Sequence, residues 1–291
     1  MLPDAVVSII ELQLGSVIER SEAVSGGCIA YAARLHCSRD DFFAKWSSDE
    51  AARTFRAEAA SLSALHTVKG SLVVPEPILV IDASNANPGI LLMEWIESGS
   101  KDSDFWWLFG NGLAELHRHT IDRYGFGEDN FIGRIAQENT WEDTWGEFFR
   151  RHRLEPQVAR ARKQKCWKSS WNAPLDRLYA RLDDILPGRV EASILHGDLW
   201  AGNYMVDTSG RPVLIDPASY YGHREADLAM TELFGGFDRR FYEAYREEWP
   251  LETGYEERRE IYNLYHLINH LNHFGPSYSD SIDRSFKSIP F

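Results

Sequence analysis

The spacing of apolar residues changes near residue 97, and this change limits the folds that the chain can adopt. Before it, short apolar runs predict β-strands, and stretches with helical spacing over 4–14 and 49–66 predict two helices. After it, apolar residues recur three and four positions apart in five segments, which predicts helices. We therefore expect an α+β fold with a small β-rich lobe over 1–97 and a larger, mainly helical lobe over 98–291.

The strands of the first lobe fall in four runs. CIAYAARL and DFFAKW flank the polar HCSRDD, which predicts an antiparallel hairpin. SLVVPEPILVID and GILLMEWIE predict two more strands, and Pro75 and Pro77 confine the first of these to a sheet edge or to its own start. In the second lobe, SILHGDLWAGNYMVD and PVLIDPASY predict strands that end in polar turns, whereas SYSDSIDRSFKS predicts a loose segment near the end of the chain.

The charge and the cysteines restrict the partners and the compartment. The chain has 31 basic and 44 acidic side chains, a net charge of −13 that repels nucleic acids and anionic membranes. Cys28, Cys37 and Cys166 are odd in number and scattered, which argues against a disulfide framework and favours the cytoplasm. Neither a signal peptide nor an apolar run of about 18 residues is present, so we expect no membrane anchor.

The strongest local motif is His196-Gly197-Asp198-Leu199-Trp200-Ala201-Gly202-Asn203. Asn203 follows Asp198 by five residues, and Asp216 follows thirteen residues later, after the run PVLI. Phosphoryl transfer needs an acceptor for the proton of the attacking hydroxyl and hard oxygen ligands for Mg²⁺. Asp198 is the candidate proton acceptor, and Asn203 and Asp216 are the candidate metal ligands. Each residue alone fits an ordinary turn or strand end, but their joint spacing favours the functional interpretation.

A second motif lies upstream. Lys45 stands within the apolar strand FFAKW, and Glu58 stands in the helix that follows. A lysine in such a strand is costly to desolvate unless its charge is paired, so we expect an ion pair with Glu58 that orients nucleotide phosphates. A snorkelling lysine and a solvated glutamate are the alternative. Gly26 and Gly27 are candidates for a phosphate-covering loop, although a hairpin turn explains two glycines equally well.

These motifs resemble those of the fructosamine kinase (ketosamine-3-kinase) family. The likeness runs over nearly the whole chain, and its most specific parts are LHGDLWAGN, LIDPASYYGHREADLAMTELFGGF and YNLYHLINHLNHFG. The family is similar in fold to aminoglycoside kinases, choline kinases and, more distantly, protein kinases. The resemblance implies a two-lobed protein-kinase-like fold and ATP- and Mg²⁺-dependent phosphorylation of the 3-hydroxyl of ribulosamine, erythrulosamine or fructosamine adducts. Elimination of the phosphate then frees the amine, which is protein deglycation.

The resemblance also implies roles for residues around the nucleotide and the acceptor. Glu94, Trp95 and Ile96 fall where such kinases bind adenine through backbone groups. Trp200 is a candidate platform for the sugar or its amine, and a core tryptophan is the alternative. Asp216 is followed by Pro-Ala where protein kinases have Phe-Gly. This difference argues against a flipping metal loop.

Further polar residues are candidates for supporting roles. We expect His196 to hold the catalytic turn through a buried hydrogen bond and Asp227 to accept from backbone N–H groups of that turn. The charged and polar residues that follow the metal loop are either acceptor-binding residues or solvated charges at the start of a helix: His223, Arg224, Glu225 and Glu232.

Three histidines and one cysteine suggest further chemistry. His266, His270 and His273 share a helix face, but no cysteine or carboxylate nearby completes a zinc site, so a polar packed face is favoured. Cys28 lies in the candidate phosphate loop, where a lowered pKa would allow a redox-sensitive disulfide between two chains. A buried cysteine at a strand end is the alternative.

Two other functions are compatible with the sequence. One is phosphorylation of another small alcohol, such as an aminoglycoside or a choline-like molecule. The other is a catalytically silent binding module, against which the presence of the base, both metal ligands and the lysine argues. The ketosamine is expected as a small molecule or attached to a protein, and the chain as a monomer or a homodimer.

Overall fold

The computed structural model describes residues 2–24, 30–68, 70–85, 87–188 and 190–289. The helices of the described residues are α1 (Asp4–Leu14), α2 (Thr54–His66), α3 (Phe105–His117), α4 (Trp145–Phe149), α5 (Glu155–Lys163), α6 (Asn172–Ile185), α7 (Glu225–Leu233), α8 (Arg239–Glu248), α9 (Tyr255–Phe274) and α10 (Ser279–Ser288). A π-helical turn, Arg150–Leu154, joins α4 to α5. Short 3₁₀ turns are Glu50–Arg53, Ser169–Trp171 and Pro276–Tyr278.

The strands form one large sheet and three small ones. They are β1 (Ile18–Ala23), β2 (Tyr31–Cys37), β3 (Asp41–Ser47), β4 (Pro77–Ile81), β5 (Gly89–Glu94), β6 (Thr120–Ile121), β7 (Asn130–Ile132), β8 (Ile135–Gln137), β9 (Ala192–Leu195), β10 (Tyr204–Val206), β11 (Pro212–Leu214) and β12 (Tyr220–Gly222). The large sheet has the order β1-β2-β3-β5-β4, and all its pairs are antiparallel. The small sheets are β12-β9-β6, β10-β11 and β7-β8.

The predicted hairpin and its neighbouring strands are confirmed. β2 and β3 pair with Ala32 opposite Lys45, and β4 is an edge strand that begins at Pro77, where its missing N–H costs no ladder bond. β1 was not predicted, because its residues IERSEA are mostly exposed and carry little apolar signal. It pairs along the free edge of β2.

Strand alternation decides which way Lys45 faces. Ala44 packs with Val6 and Ile10 of α1 on one face of the sheet. Phe43 and Leu91 belong to the core on the other face, against α2. Because successive side chains point to opposite faces, Lys45 is directed toward α2.

Helix α2 joins the sheet to the helical region. Its buried residues Phe55, Leu62 and Leu65 share one hydrophobic core with Phe109 of α3 and Leu199 of the catalytic turn. A parallel bridge between Val73 and Val213 adds a second connection. The division at residue 97 stays a prediction, since this core extends across it.

The helical region is built around α9, most of whose residues are buried. Its predicted helices α3, α6, α8 and α9 are confirmed, and the predicted helix over 141–154 is present as α4 and the π-helical turn, whereas α5 and α7 were not predicted. The prediction of a loose segment near the end is wrong, because α10 packs Ile282 and Phe286 into the core. The helix was not predicted because these two residues, four positions apart, are surrounded in the sequence by serines and charged residues. Among the described residues, no helix is both long and apolar enough to span a bilayer.

Candidate active site

The turn that follows β9 is held by one buried carboxylate. Asp227 accepts hydrogen bonds from the backbone N–H of His196 at 2.7 Å and of Gly197 at 2.9 Å, so the predicted contact of Asp227 is present. Gly197 has a φ of +83°, and a Cβ on it would lie 2.1 Å from the carbonyl oxygen of Ala218. Only glycine fits there. The turn therefore presents Asp198 from a rigid backbone.

His196 connects this turn to the strand before Asp216. Its ring is fully buried; Nε2 donates to the carbonyl of Ile215 at 3.0 Å, and Nδ1 accepts from the N–H of Asp198 at 3.3 Å. Burial lowers the pKa of His196, which favours the neutral ring that these two contacts require. The ring is a structural link, as predicted from the sequence.

Asp198 and Asn203 contact each other across the turn. The Asn203 Nδ2 donates to the carbonyl of Asp198 at 2.8 Å and to its Oδ2 at 3.2 Å. Burial raises the pKa of Asp198 to about 7, although the hydrogen bond from Asn203 opposes this shift. The N–H of Ile215 donates to the Asn203 carbonyl at 3.1 Å, which brings Asp216 beside the same turn.

Lys45 lies between two carboxylates. Its Nζ is 2.7 Å from Oε1 of Glu58, the predicted ion pair, and 2.5 Å from Oδ1 of Asp216. Burial lowers the pKa of Lys45, but the two carboxylates raise it by more. For Asp216, burial raises the pKa, while the charge and hydrogen bond of Lys45 lower it below its usual range. The ammonium therefore stays charged.

The residues present fit Mg²⁺ together with a nucleotide. Because the amide nitrogen of Asn203 is anchored on Asp198, its oxygen is left for another partner, and Asp216 offers Oδ2 beside the oxygen that binds Lys45. Mg²⁺ takes one or two protein oxygens and completes its shell with phosphates and water. Among the described residues, no group of three or more His, Cys, Asp or Glu is placed to hold a metal by protein ligands alone.

Part of the predicted adenine-binding segment is already engaged. The N–H of Glu94 donates to the carbonyl of Glu76 at 2.9 Å, and the N–H of Trp95 donates to that of Asp41 at 3.3 Å. These two donors are therefore not available to a base. The N–H of Ile96 has no acceptor among the described residues, so it is the donor of this segment that an adenine could use.

Trp200 is exposed beside the catalytic turn. Its side chain is 40% exposed, so the alternative of a core tryptophan is wrong. The ring lies over Gly202, where a Cβ would come within 2.3 Å of it. Gly202 thus makes room for the indole, and Trp200 stays 40% exposed two residues after Asp198.

The residues after the metal loop are not solvated charges. His223 is 3% exposed and lies 2.8 Å from the hydroxyl of Tyr262, and Glu225 is fully buried in a bidentate pair with Arg258. Arg224 is also buried and donates to two backbone carbonyls. The candidate acceptor role of His223 is corrected as well: its ring packs in the helical core because its nitrogen finds a partner there.

Glu232 lies apart from this core. It accepts from the hydroxyl of Tyr255 at 2.6 Å and pairs with Arg259 at 2.8 Å. It lines a cavity of about 300 Å³ between α7, α9 and α10. Its assignment to the acceptor stays a prediction. Gly26, Gly27 and Cys28 lie outside the described residues, and the predictions for them stay untested.

Sequence reasoning missed His117, which supports Asp227 from behind. Its Nε2 is 3.2 Å from the Asp227 carboxylate, and its Nδ1 is 2.8 Å from the hydroxyl of Tyr245. Burial lowers the pKa of His117, so the ring donates to Asp227 as a neutral group. The available signal was the position of His117 in the apolar stripe of α3, four residues after Leu113.

The chain is similar to known kinases over nearly its whole length. The family model described as fructosamine kinase matches residues 3–289. A probable ketoamine kinase of Synechocystis sp. is 39% identical over 271 residues, which cover 93% of this chain and 90% of that protein. The mouse ketosamine-3-kinase is 33% identical over 94% of this chain and 96% of its own length.

Solved structures agree with the fold. A Thermobifida fusca protein assigned as a fructosamine-3-kinase superposes with a TM-score of 0.88 at 27% identity, covering 99% of both chains. An aminoglycoside phosphotransferase crystallised with AMP-PNP and hygromycin B gives a TM-score of 0.67 at 15% identity over 98% of both chains, a likeness of fold alone. The expected two-lobed, protein-kinase-like α+β fold is confirmed. With a family match over nearly its whole length, the chain belongs to the fructosamine kinase family.

Proposed function

We propose that this chain is an ATP-dependent kinase that transfers the γ-phosphate to the 3-hydroxyl of a ketosamine. The family and its ketoamine kinase relatives support the substrate class. The observation that carries the proposal is the contact of Lys45 with Asp216 beside the turn that presents Asp198. A lysine, a metal-binding carboxylate and a base at one place are the parts that phosphoryl transfer requires.

Asp198 is the proposed proton acceptor. As the acceptor oxygen attacks the γ-phosphorus, its proton passes to the Asp198 carboxylate, and the bond from phosphorus to the bridging oxygen of ADP breaks. A pKa of about 7 for Asp198 suits a base that must gain and then release a proton near neutral pH. Asn203 orients the carboxylate by donating to Oδ2.

Lys45 and the metal ligands are proposed to hold the triphosphate. Lys45, kept in place by Glu58, donates to the α- and β-phosphates. Asn203 and Asp216 would hold Mg²⁺, which neutralises charge on the β- and γ-phosphates when bound. Asn203 lies on the catalytic turn, and Asp216 lies on the segment that is hydrogen-bonded to this turn. The two ligands would therefore approach the nucleotide from one side.

Trp200 is the proposed platform for the acceptor. Its exposed indole lies two residues from the base. Aromatic faces bind the C–H surfaces of sugars and attract cations, and a ketosamine combines a sugar chain with a protonated amine. The free thiols of Cys37 and Cys166 and the requirement for ATP support a cytoplasmic enzyme.

The test is ATP turnover with matched acceptors. Ribulose-lysine, erythrulose-lysine and fructose-lysine are compared with one aminoglycoside, and Asp198→Asn serves as the control for contaminating activity. We expect ketosamine-dependent ADP release and a product phosphorylated at oxygen 3, identified by ³¹P NMR. Turnover of the aminoglycoside without turnover of any ketosamine would overturn the acceptor assignment.

A further inference from the structure

The backbone of Ser219 is held from both sides. Its N–H donates to the Ser61 hydroxyl at 3.2 Å, and its carbonyl accepts from Nδ2 of Asn130 at 2.8 Å. Ser219 and Ser61 are fully buried, and Asn130 is 2% exposed. Because water does not reach these groups, losing either partner leaves a buried polar group of Ser219 unpaired.

Ser61 and Ser219 each lie close in sequence to a residue of the candidate site. Ser61 stands three residues after Glu58 on α2, so the two side chains are neighbours along one side of the helix. Ser219 stands three residues after Asp216. The Ser61 hydroxyl thus joins the helix that carries Glu58 to the segment that carries Asp216.

The hydrogen bond from Asn130 to Ser219 is the last of three successive hydrogen bonds, which all run in the same donor-to-acceptor direction. The hydroxyl of Tyr265 on α9 donates to Oε1 of Gln137, and Nε2 of Gln137 donates to Oδ1 of Asn130 at 2.7 Å. Each amide uses its oxygen for one neighbour and its nitrogen for the next. Turning either amide around would therefore break two hydrogen bonds, so Nδ2 of Asn130 stays aimed at Ser219.

Asp216 needs such a restraint. Its φ is +53°, a left-handed conformation that is uncommon for residues other than glycine. The next residue, Pro217, has no N–H. The first N–H groups after Asp216 that can be anchored are those of Ala218, which donates to the His196 carbonyl at 2.8 Å, and of Ser219.

We propose that Ser61 and Asn130 are positioning residues for the nucleotide. By holding Ser219, they keep Asp216 and Glu58 at the separation at which Lys45 contacts both carboxylates. This inference rests on the proposed roles of Lys45, Glu58 and Asp216. It makes the metal-binding segment a fixed element tied to α2, which is consistent with the Pro-Ala that follows Asp216.

Ser61→Ala tests the link to α2. Loss of one buried hydrogen bond should raise the KM for Mg·ATP about 5-fold and leave the acceptor KM within about 2-fold, because Ser61 bonds directly to the segment that carries Asp216. Ser193→Ala is the matched control: Ser193 is also fully buried, and its hydroxyl has no hydrogen-bond partner among the described residues. Ser61→Thr, which keeps a hydroxyl, should restore the wild-type KM for Mg·ATP.

Asn130→Leu tests the same link from the other side. It should raise the KM for Mg·ATP by a similar factor, and the double variant should show less than the product of the two effects, since both act through Ser219. Equal increases in both KM values, or a change no larger than that of Ser193→Ala, would overturn the proposal. Asp216→Asn is measured in parallel: normal Mg²⁺ dependence there would contradict the proposed metal ligand, and no ketosamine turnover by the wild type would contradict the proposed function.

Discussion

The ammonium group of Lys45 lies 2.5 Å from a carboxylate oxygen of Asp216, a residue 171 positions later in the chain. The contact joins a strand of the large sheet to the segment after β11, so it crosses from the β-rich region to the helical one. Glu58 holds the same ammonium group from α2 at 2.7 Å. One positive charge thus brings together two carboxylates that would otherwise repel each other.

Replacing Lys45 by Met should weaken nucleotide binding. Hydrogen bonds to charged groups are worth about 1.5–3 kcal/mol, so we expect the KM for Mg·ATP to rise about 10- to 100-fold. Glu58→Gln keeps the lysine and removes only the charge that it pairs with, so it should raise the KM for Mg·ATP by less than Lys45→Met does. Steady-state kinetics at saturating acceptor measures both. A Lys45→Met enzyme with normal ATP affinity would remove Lys45 from the phosphate site.

Asp198→Asn should separate chemistry from binding. Without a proton acceptor, we expect kcat to fall by about 10²- to 10⁴-fold, while the affinity for Mg·ADP stays within about 2-fold, since Asp198 is assigned no contact with the nucleotide. Calorimetric titration with Mg·ADP and single-turnover assays measure the two quantities. Asp184→Asn, on the exposed side of α6, is the control. Normal turnover of Asp198→Asn would show that another group takes the proton.

The sequence predicted those parts of the site that depend on local spacing. Lys45 was identified from the cost of an unpaired charge in an apolar strand, and its pairing with Glu58 was expected. Asp227 was expected to accept from backbone N–H groups of the catalytic turn, and it does so from 31 and 30 positions away. The contact between Lys45 and Asp216 was not predicted, since no local pattern records which oxygen of a distant turn comes within reach.

The wrong assignments of His223 and Glu225 also arise from partners that are distant in the sequence. His223 and Glu225 look like solvated polar residues at a helix start, but their partners are Tyr262 and Arg258, 39 and 33 positions away on α9. Burial of a charge is favourable only with such a partner, and partners that distant are set by packing rather than by periodicity. α10 was missed for a related reason: two buried residues among ten carry too weak a stripe.

Trp200→Ala should affect the acceptor alone. Loss of an aromatic face costs about 0.5–2 kcal/mol, so we expect the KM for a ketosamine to rise about 2- to 30-fold with an unchanged KM for ATP. Trp200→Phe should recover much of the loss. Trp107, 52% exposed on α3, supplies the control Trp107→Ala. An unchanged ketosamine KM in Trp200→Ala would exclude the indole from the acceptor site.

Stability should fall as the pH drops below about 6.5, because several histidines are buried in the neutral form. His266 is 4% exposed, and its Nδ1 has no hydrogen-bond partner among the described residues. Burial, together with the charges of His270 and Arg153, lowers its pKa to about 3, although Asp227 opposes this shift. Burial likewise places the pKa of His223 well below its usual value.

The sign follows from proton uptake. A histidine titrates near 6.5 in the unfolded chain, so between about 3 and 6.5 the unfolded state binds the proton that buried His266 refuses. As the pH falls through this range, the free energy of unfolding decreases by up to about 1.4 kcal/mol per pH unit for this group alone. Urea unfolding at pH 7.0, 6.0 and 5.5 measures the slope. His266→Gln should reduce this slope by up to about 1.4 kcal/mol per pH unit. A stability that rises on acidification would contradict the neutral burial of His266.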